Sequence, residues 1–105
     1  MRILILIMSL ISTSVLAQQG EHSYTPKNGF VPDSQTAIAI AVAVWNPIYG
    51  RDTIEKERPF KAILENGVWF VEGSLPWSWL GAVGGVAEAE ISQKDARIIR
   101  VSHGK

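Results

Sequence analysis

Hydrophobic positions along this chain fall into two regimes. In the first, Ala37 to Trp45 reads AIAIAVAVW, nine residues without a polar side chain. Strict alternation would put Ile38, Ile40, Val42 and Val44 on one side of a strand. Their partners, however, are alanines, the strongest helix formers. Directly upstream, Val31-Pro32-Asp33-Ser34-Gln35-Thr36 offers Asp33 or Ser34 as an N-cap, with an acidic group favoured at the positive end of a helix. The segment therefore predicts a helix with Ile38, Val42 and Trp45 in one stripe and Ile40 with Val44 in a second. A helix apolar all round is normally buried on more than one side. Asn46-Pro47 is expected to end or bend it, and Ile48-Tyr49-Gly50 supplies a glycine suited to a C-cap. Arg51 to Arg58 is charged and reads as a solvated linker face with a short helix or turn.

The second regime has a period of two. Pro59 to Glu65, then Asn66-Gly67, then Val68 to Leu75 is a hairpin pattern, because both central positions of a type I′ turn require positive φ. A two-residue loop fixes the pairing as Glu65 with Val68, Leu64 with Trp69, Ile63 with Phe70, Ala62 with Val71 and Lys61 with Glu72. One face then carries Phe60, Ala62, Leu64, Trp69 and Val71, the core face. The other carries Ile63 and Phe70 beside Lys61 and Glu72. Gly85 to Ser92 is predicted as a third strand with Ala87, Ala89 and Ile91 on one side. A turn at Gln93 to Ala96 leads into a fourth strand, Arg97 to His103. Its register is ambiguous by one residue, which leaves Arg100 opposite either the glutamates or the alanine face. The fold class is α+β: an N-terminal helix cradled by a curved, cone-shaped, four-stranded antiparallel sheet.

The amino terminus follows another logic. Met1-Arg2 is a short positive start, Ile3 to Ile11 is apolar except for Ser9, and the run closes on Val15-Leu16-Ala17. This predicts a signal peptide over 1–17, cut after Ala17, and hence a periplasmic protein. The apolar run is too short for a membrane anchor, which needs about 18 consecutive apolar residues, and no cysteine is present to carry a lipid. Residues 18–29 are polar, punctuated by Pro26 and Asn28-Gly29, and read as a flexible leader into a domain over 30–105. Cleavage takes Arg2 away and leaves nine basic against ten acidic side chains. That balance gives no electrostatic footprint for nucleic acid or an anionic membrane. Without disulfides, stability must come from packing, so the large aromatic side chains matter.

Candidate chemistry is sparse. Asp52, Glu88, Glu90, Tyr49 and His103 are the groups suited to acid–base work in the cone. Glu88 and Glu90 share a strand face, but an ion pair with Arg97 or Arg100 accounts for them more simply. His22 and His103 have no second ligand at motif spacing, so neither a metal nor a cofactor is implied. Gly81 to Gly85 lacks the Lys-Ser/Thr of a phosphate loop and leads into a strand. Trp45 and Trp69 sit on core faces. Trp77 and Trp79 in LPWSWLGAVGG either plug the open end of the cone or, with Leu80, project as anchors for a partner.

Gly29-Phe30-Val31-Pro32-Asp33, Thr36-Ala37-Ile38, Ala43-Val44, Pro47-Ile48-Tyr49-Gly50, Pro59-Phe60-Lys61-Ala62, Gly67-Val68-Trp69, Gly84-Gly85-Val86-Ala87-Glu88, Ile91-Ser92 and Val101-Ser102-His103-Gly104-Lys105 follow in that order. Together they resemble a bacterial immunity-protein family of polymorphic toxin systems, with a nuclear-transport-factor-2-like fold. The resemblance implies a non-enzymatic protector that binds a cognate protein toxin. Three positions depart from the pattern: Ala96 replaces a glycine, Val42 replaces a charged residue, and Trp77 to Val83 is unusually apolar. The candidate partner-binding residues are Trp77, Trp79 and Leu80 first. Second comes the Ile63–Phe70 face, open to either the toxin or a second copy of the chain. Rival readings are a small periplasmic enzyme or ligand carrier that uses the cone cavity, and an exported inhibitor of a foreign hydrolase.

Overall fold

The computed structural model describes residues 22–75 and 85–104. Helix α1, Ser34–Tyr49, begins as its cap predicts. Asp33 is extended, and its Oδ1 accepts from the Thr36 backbone N–H at 2.8 Å and from the Thr36 hydroxyl at 2.7 Å. These two bonds, the hydroxyl's first, hold the Asp33 carboxyl below the usual carboxylate range. Pro47 does not end the helix. It lies in the last turn, where its missing N–H costs one bond to the carbonyl of Ala43, a residue on the exposed side. Closure falls instead to Gly50, at φ 96°, whose N–H returns to the Asn46 carbonyl at 2.9 Å.

The buried stripe of α1 also differs from the predicted one. Ala37, Ala41 and Trp45 are fully buried, while Ile38, Ile40 and Val42 pack at the flanks of the core. Small residues let the helix backbone settle close onto the sheet, and the branched side chains splay to either side. A short helix α2, Arg51–Glu55, follows, and its Ile54 is buried. The charged run thus holds the expected short helix and is mostly exposed, anchored by the buried Ile54 and Glu57.

Strands β1 (Lys61–Glu65), β2 (Val68–Glu72), β3 (Ala87–Ser92) and β4 (Ile98–His103) form one antiparallel sheet in the order β1-β2-β3-β4. All five residue pairs of the β1–β2 hairpin match the predicted register. Asn66 at φ 50° and Gly67 at φ 77° supply the two left-handed positions of the turn. Leu64, on the core face by register, remains 40% exposed because β1 is an edge strand.

The ambiguity in the last hairpin has a physical source. Glu90 pairs with Arg100 but Ile91 pairs with Ile98, so Ile99 is an extra residue, a β-bulge. Each candidate register holds on one side of it. The turn itself needs Ala96 at φ 66°, the left-handed conformation in which glycine is favoured.

The core is Val31, Ala37, Ala41 and Trp45 against Trp69, Val71, Ala87, Ala89 and Ile91, with Ile54 below. Both core tryptophans satisfy their indole N–H: Trp69 donates to the Val31 carbonyl at 2.7 Å and Trp45 to the Glu88 carbonyl at 3.2 Å. Phe30 and Val31 donate to the Lys94 and Gln93 carbonyls at 3.1 and 3.0 Å, which ties the start of the domain to the β3–β4 turn. Gly29 permits that approach, since a Cβ there would fall 2.3 Å from the Gln93 carbonyl oxygen. The result is the expected α+β architecture, a helix against a curved four-stranded antiparallel sheet.

Candidate functional site

Two places gather polar chemistry. The first lies where the ends of β2 and β4 meet the start of β3. Glu57, only 6% exposed, follows α2 and reaches into the sheet. Its Oε1 accepts from the Ala87 backbone N–H at 2.7 Å, and its Oε2 lies 2.7 Å from Nε2 of His103. Gly73 leaves room for it, because a Cβ there would fall 2.5 Å from Oε1. Nδ1 of His103 faces the Gly104 carbonyl at 2.6 Å, and the Tyr49 ring lies against the imidazole with centroids 5.0 Å apart.

Both imidazole nitrogens thus face acceptors, so the doubly protonated ring fits this pocket and donates on both sides. The Glu57 carboxylate raises the His103 pKa above the ordinary histidine value. Partial burial opposes the shift, and the Gly104 carbonyl adds to it. With every nitrogen and carboxylate oxygen engaged, the cluster is built as a latch between β4, β3 and the segment after α2. Sequence reading brought Tyr49 and His103 forward but missed Glu57, which sits in a charged run without periodicity. Its signal was Gly73, a glycine just past a strand end, where another group approaches closely. Asp52 is exposed and stands apart from this cluster.

The second place is the outer sheet face. Alternation puts Lys61 and Ile63 of β1, Phe70 and Glu72 of β2, Glu88 and Glu90 of β3, and Arg100 and Ser102 of β4 on this side. Arg100 braces it. Its Nε meets the Glu90 carboxylate, its Nη2 reaches Glu88 at 3.1 Å, and its Nη1 donates to the Ser102 hydroxyl at 2.6 Å. The two carboxylates, Glu90 first, raise the pKa of the guanidinium. Glu88 and Glu90 therefore clamp Arg100, the ion-pair reading of these two carboxylates. Beside them Ile63 is 59% and Phe70 39% exposed, and a cavity of about 180 Å³ opens among Lys61, Ile63, Phe70, Glu72, Glu88 and Arg100.

A wider groove of about 710 Å³ runs along α1 between Val42 and Phe60, near Arg51 and Arg58. Arg58 is already engaged, by Glu55 at 2.7 Å and by the Phe60 ring beneath its guanidinium. Trp77, Trp79 and Leu80, the first-ranked contact residues, lie outside the described residues, as does 1–17. The stems on either side are fixed. Ser74 donates its N–H to the Glu57 carbonyl at 2.7 Å and its hydroxyl to the Pro59 carbonyl at 2.6 Å. Gly85 packs so closely on Gly104 that a Cβ would fall 2.0 Å from the Gly104 Cα.

Comparison with known proteins supplies the frame for these features. The uncharacterized protein YhhH of Escherichia coli K12 is 32% identical over 87 residues, which is 83% of this chain and 66% of that protein. The chain thus spans just under two thirds of that curated relative. No solved structure matches it. The NTF2 fold immunity protein family matches residues 36–105, from the first turn of α1 through all four strands, and the chain belongs to that family.

Proposed function

We propose that this protein neutralises a cognate bacterial toxin by stoichiometric protein–protein binding, without catalysis, after export to the periplasm through the segment 1–17. Family membership supports the immunity role, and the amino-terminal pattern supports export. The single observation that carries the binding reading is the outer sheet face, where Ile63 and Phe70 stand in solvent on paired strands beside the braced Arg100. Exposed apolar side chains on a rigid scaffold beside polar groups make a contact surface. Of the groups suited to acid–base work, His103 is paired with Glu57, and Glu88 and Glu90 are paired with Arg100.

The test is survival. The reading frame next to this gene is expressed with an export signal in a sensitive strain, with and without this protein directed to the periplasm, and colonies are counted. Killing relieved only by the periplasmic form is expected. Killing that persists with this protein present removes the neutralisation reading.

A further inference from the structure

Strand β1 is an edge of the sheet, and among the described residues no strand pairs with its open side. Such an edge presents unpaired N–H and C=O groups, and its side chains decide which chain can pair there. The hairpin geometry says which groups these are. In a two-residue hairpin the residues beside the loop, Glu65 and Val68, exchange both backbone bonds, and alternation then turns Ile63 and Lys61 towards β2 as well. The N–H and C=O of Ala62 and Leu64 are left on the open side. Ile63 and Leu64 are both exposed here. Within the sheet Lys61 has Glu72 across from it, but Glu65 has only Val68, and among the described residues no ion pair engages Glu65.

The strand reads Lys61-Ala62-Ile63-Leu64-Glu65, basic at one end, acidic at the other and apolar between. We infer that this edge pairs antiparallel with the same edge of a second copy of the chain, about a two-fold axis through Ile63. That register sets Lys61 of each copy opposite Glu65 of the other, so both ends of the contact are charge-matched. Ala62 then meets Leu64 of the other copy. Their free N–H and C=O groups are the ones that face outwards, so each such pair exchanges two backbone bonds. Ile63 meets Ile63 at the axis, where the side chains of a pair without backbone bonds approach most closely. Opposed residues of an antiparallel pair point to one face, so the axis must pass through a residue. Centred on Ala62, the strand would set Glu65 against Pro59 and Lys61 against Ile63; centred on Leu64, it would set Glu65 against Ile63. Only the Ile63 register matches the charges. It also joins Phe70 and Ile63 of both copies into one apolar row across the outer face, doubling the surface proposed above for the toxin.

Crosslinking and sedimentation of the purified protein test the pairing without the toxin. The chain has no cysteine, so Ile63→Cys supplies a single thiol that meets its own counterpart at a Cα separation of about 4.5 Å, within disulfide reach. Mild oxidation is expected to give a covalent dimer, whereas Leu64→Cys, set opposite Ala62, stays uncrosslinked. Glu65→Lys places like charges at both ends of the contact and is expected to weaken the dimer by about tenfold or more. Lys61→Glu, made together with Glu72→Lys so that the pair across β1 and β2 keeps opposite signs, is expected to do the same. Mixed in equal amounts, these two variants regain opposite charges at both ends and form a heterodimer. The inference is overturned if the wild-type protein sediments as a monomer at millimolar concentration, if Glu65→Lys leaves the dimer intact, or if Leu64→Cys crosslinks and Ile63→Cys does not. A monomer whose Glu65→Lys variant loses protection in the survival assay would overturn it too, and would assign the edge to a strand of the toxin. The pairing does not depend on neutralisation: a dimer that gives no protection counts against the immunity reading alone, so the two failures remain distinct.

Discussion

At His103 the two ring nitrogens face Glu57 and the Gly104 carbonyl, and the ring joins the last strand to the segment after α2. Its folded-state pKa is raised. The linked stabilisation is therefore fully present below the unfolded value of about 6.5 and is lost as pH rises through the folded value. Urea denaturation between pH 5.5 and 8.5 should show wild type losing its advantage over His103→Gln towards the alkaline end, and an advantage that grows with pH would contradict the latch. At low pH, His103→Ala should cost about 3 kcal/mol, because it leaves the buried Glu57 carboxylate without its partner. Ala96 gives the opposite sign. Held at φ 66°, it is strained by its own Cβ, so Ala96→Gly should raise stability by roughly 0.5–1 kcal/mol and the melting temperature by a few degrees.

Between elements, the seam of α1 with the sheet is set by alanines. Ala41 is fully buried with Trp45 one turn on, so Ala41→Leu should overpack the seam and cost about 1–3 kcal/mol, read as a lower urea midpoint with an unchanged slope. The sequence shows plainly that this segment is a helix, since Asp33, the alanines and Gly50 each act within a few residues of themselves. The stripe it buries was not legible, because that depends on how near the sheet lies, and hydrophobicity ranked Ile38 and Val42 above Ala37 and Ala41. The Asn66-Gly67 hairpin was readable to the residue for the same local reason. The β4 register was not, since the bulge at Ile99 leaves no mark in an alternating pattern. Glu57 stayed hidden because its partners, Ala87 and His103, lie 30 and 46 residues away along the chain. The clamp of Glu88 and Glu90 on Arg100 was anticipated as a pairing, and the bulge decides which arginine performs it.

For the whole molecule, the helix and the Glu57 latch hold a sheet whose outer face, with Ile63 and Phe70 exposed, is the proposed contact surface. Ile63→Thr with Phe70→Thr should abolish protection in the survival assay while shifting the melting temperature little, because both side chains are exposed and threonine keeps the strand preference without setting like charges across the pair. A large fall in melting temperature with protection intact would assign that face to folding. The most direct measurement of neutralisation by stoichiometric binding is a titration of the neighbouring gene product's toxic activity against the purified protein. Inhibition is expected to rise linearly and break at a fixed whole-number ratio, with a complex of matching mass. Relief of toxicity at far below equivalence would mean that the protein turns over a substrate, and no inhibition at any ratio would mean that it does not bind this toxin; either result contradicts the proposal.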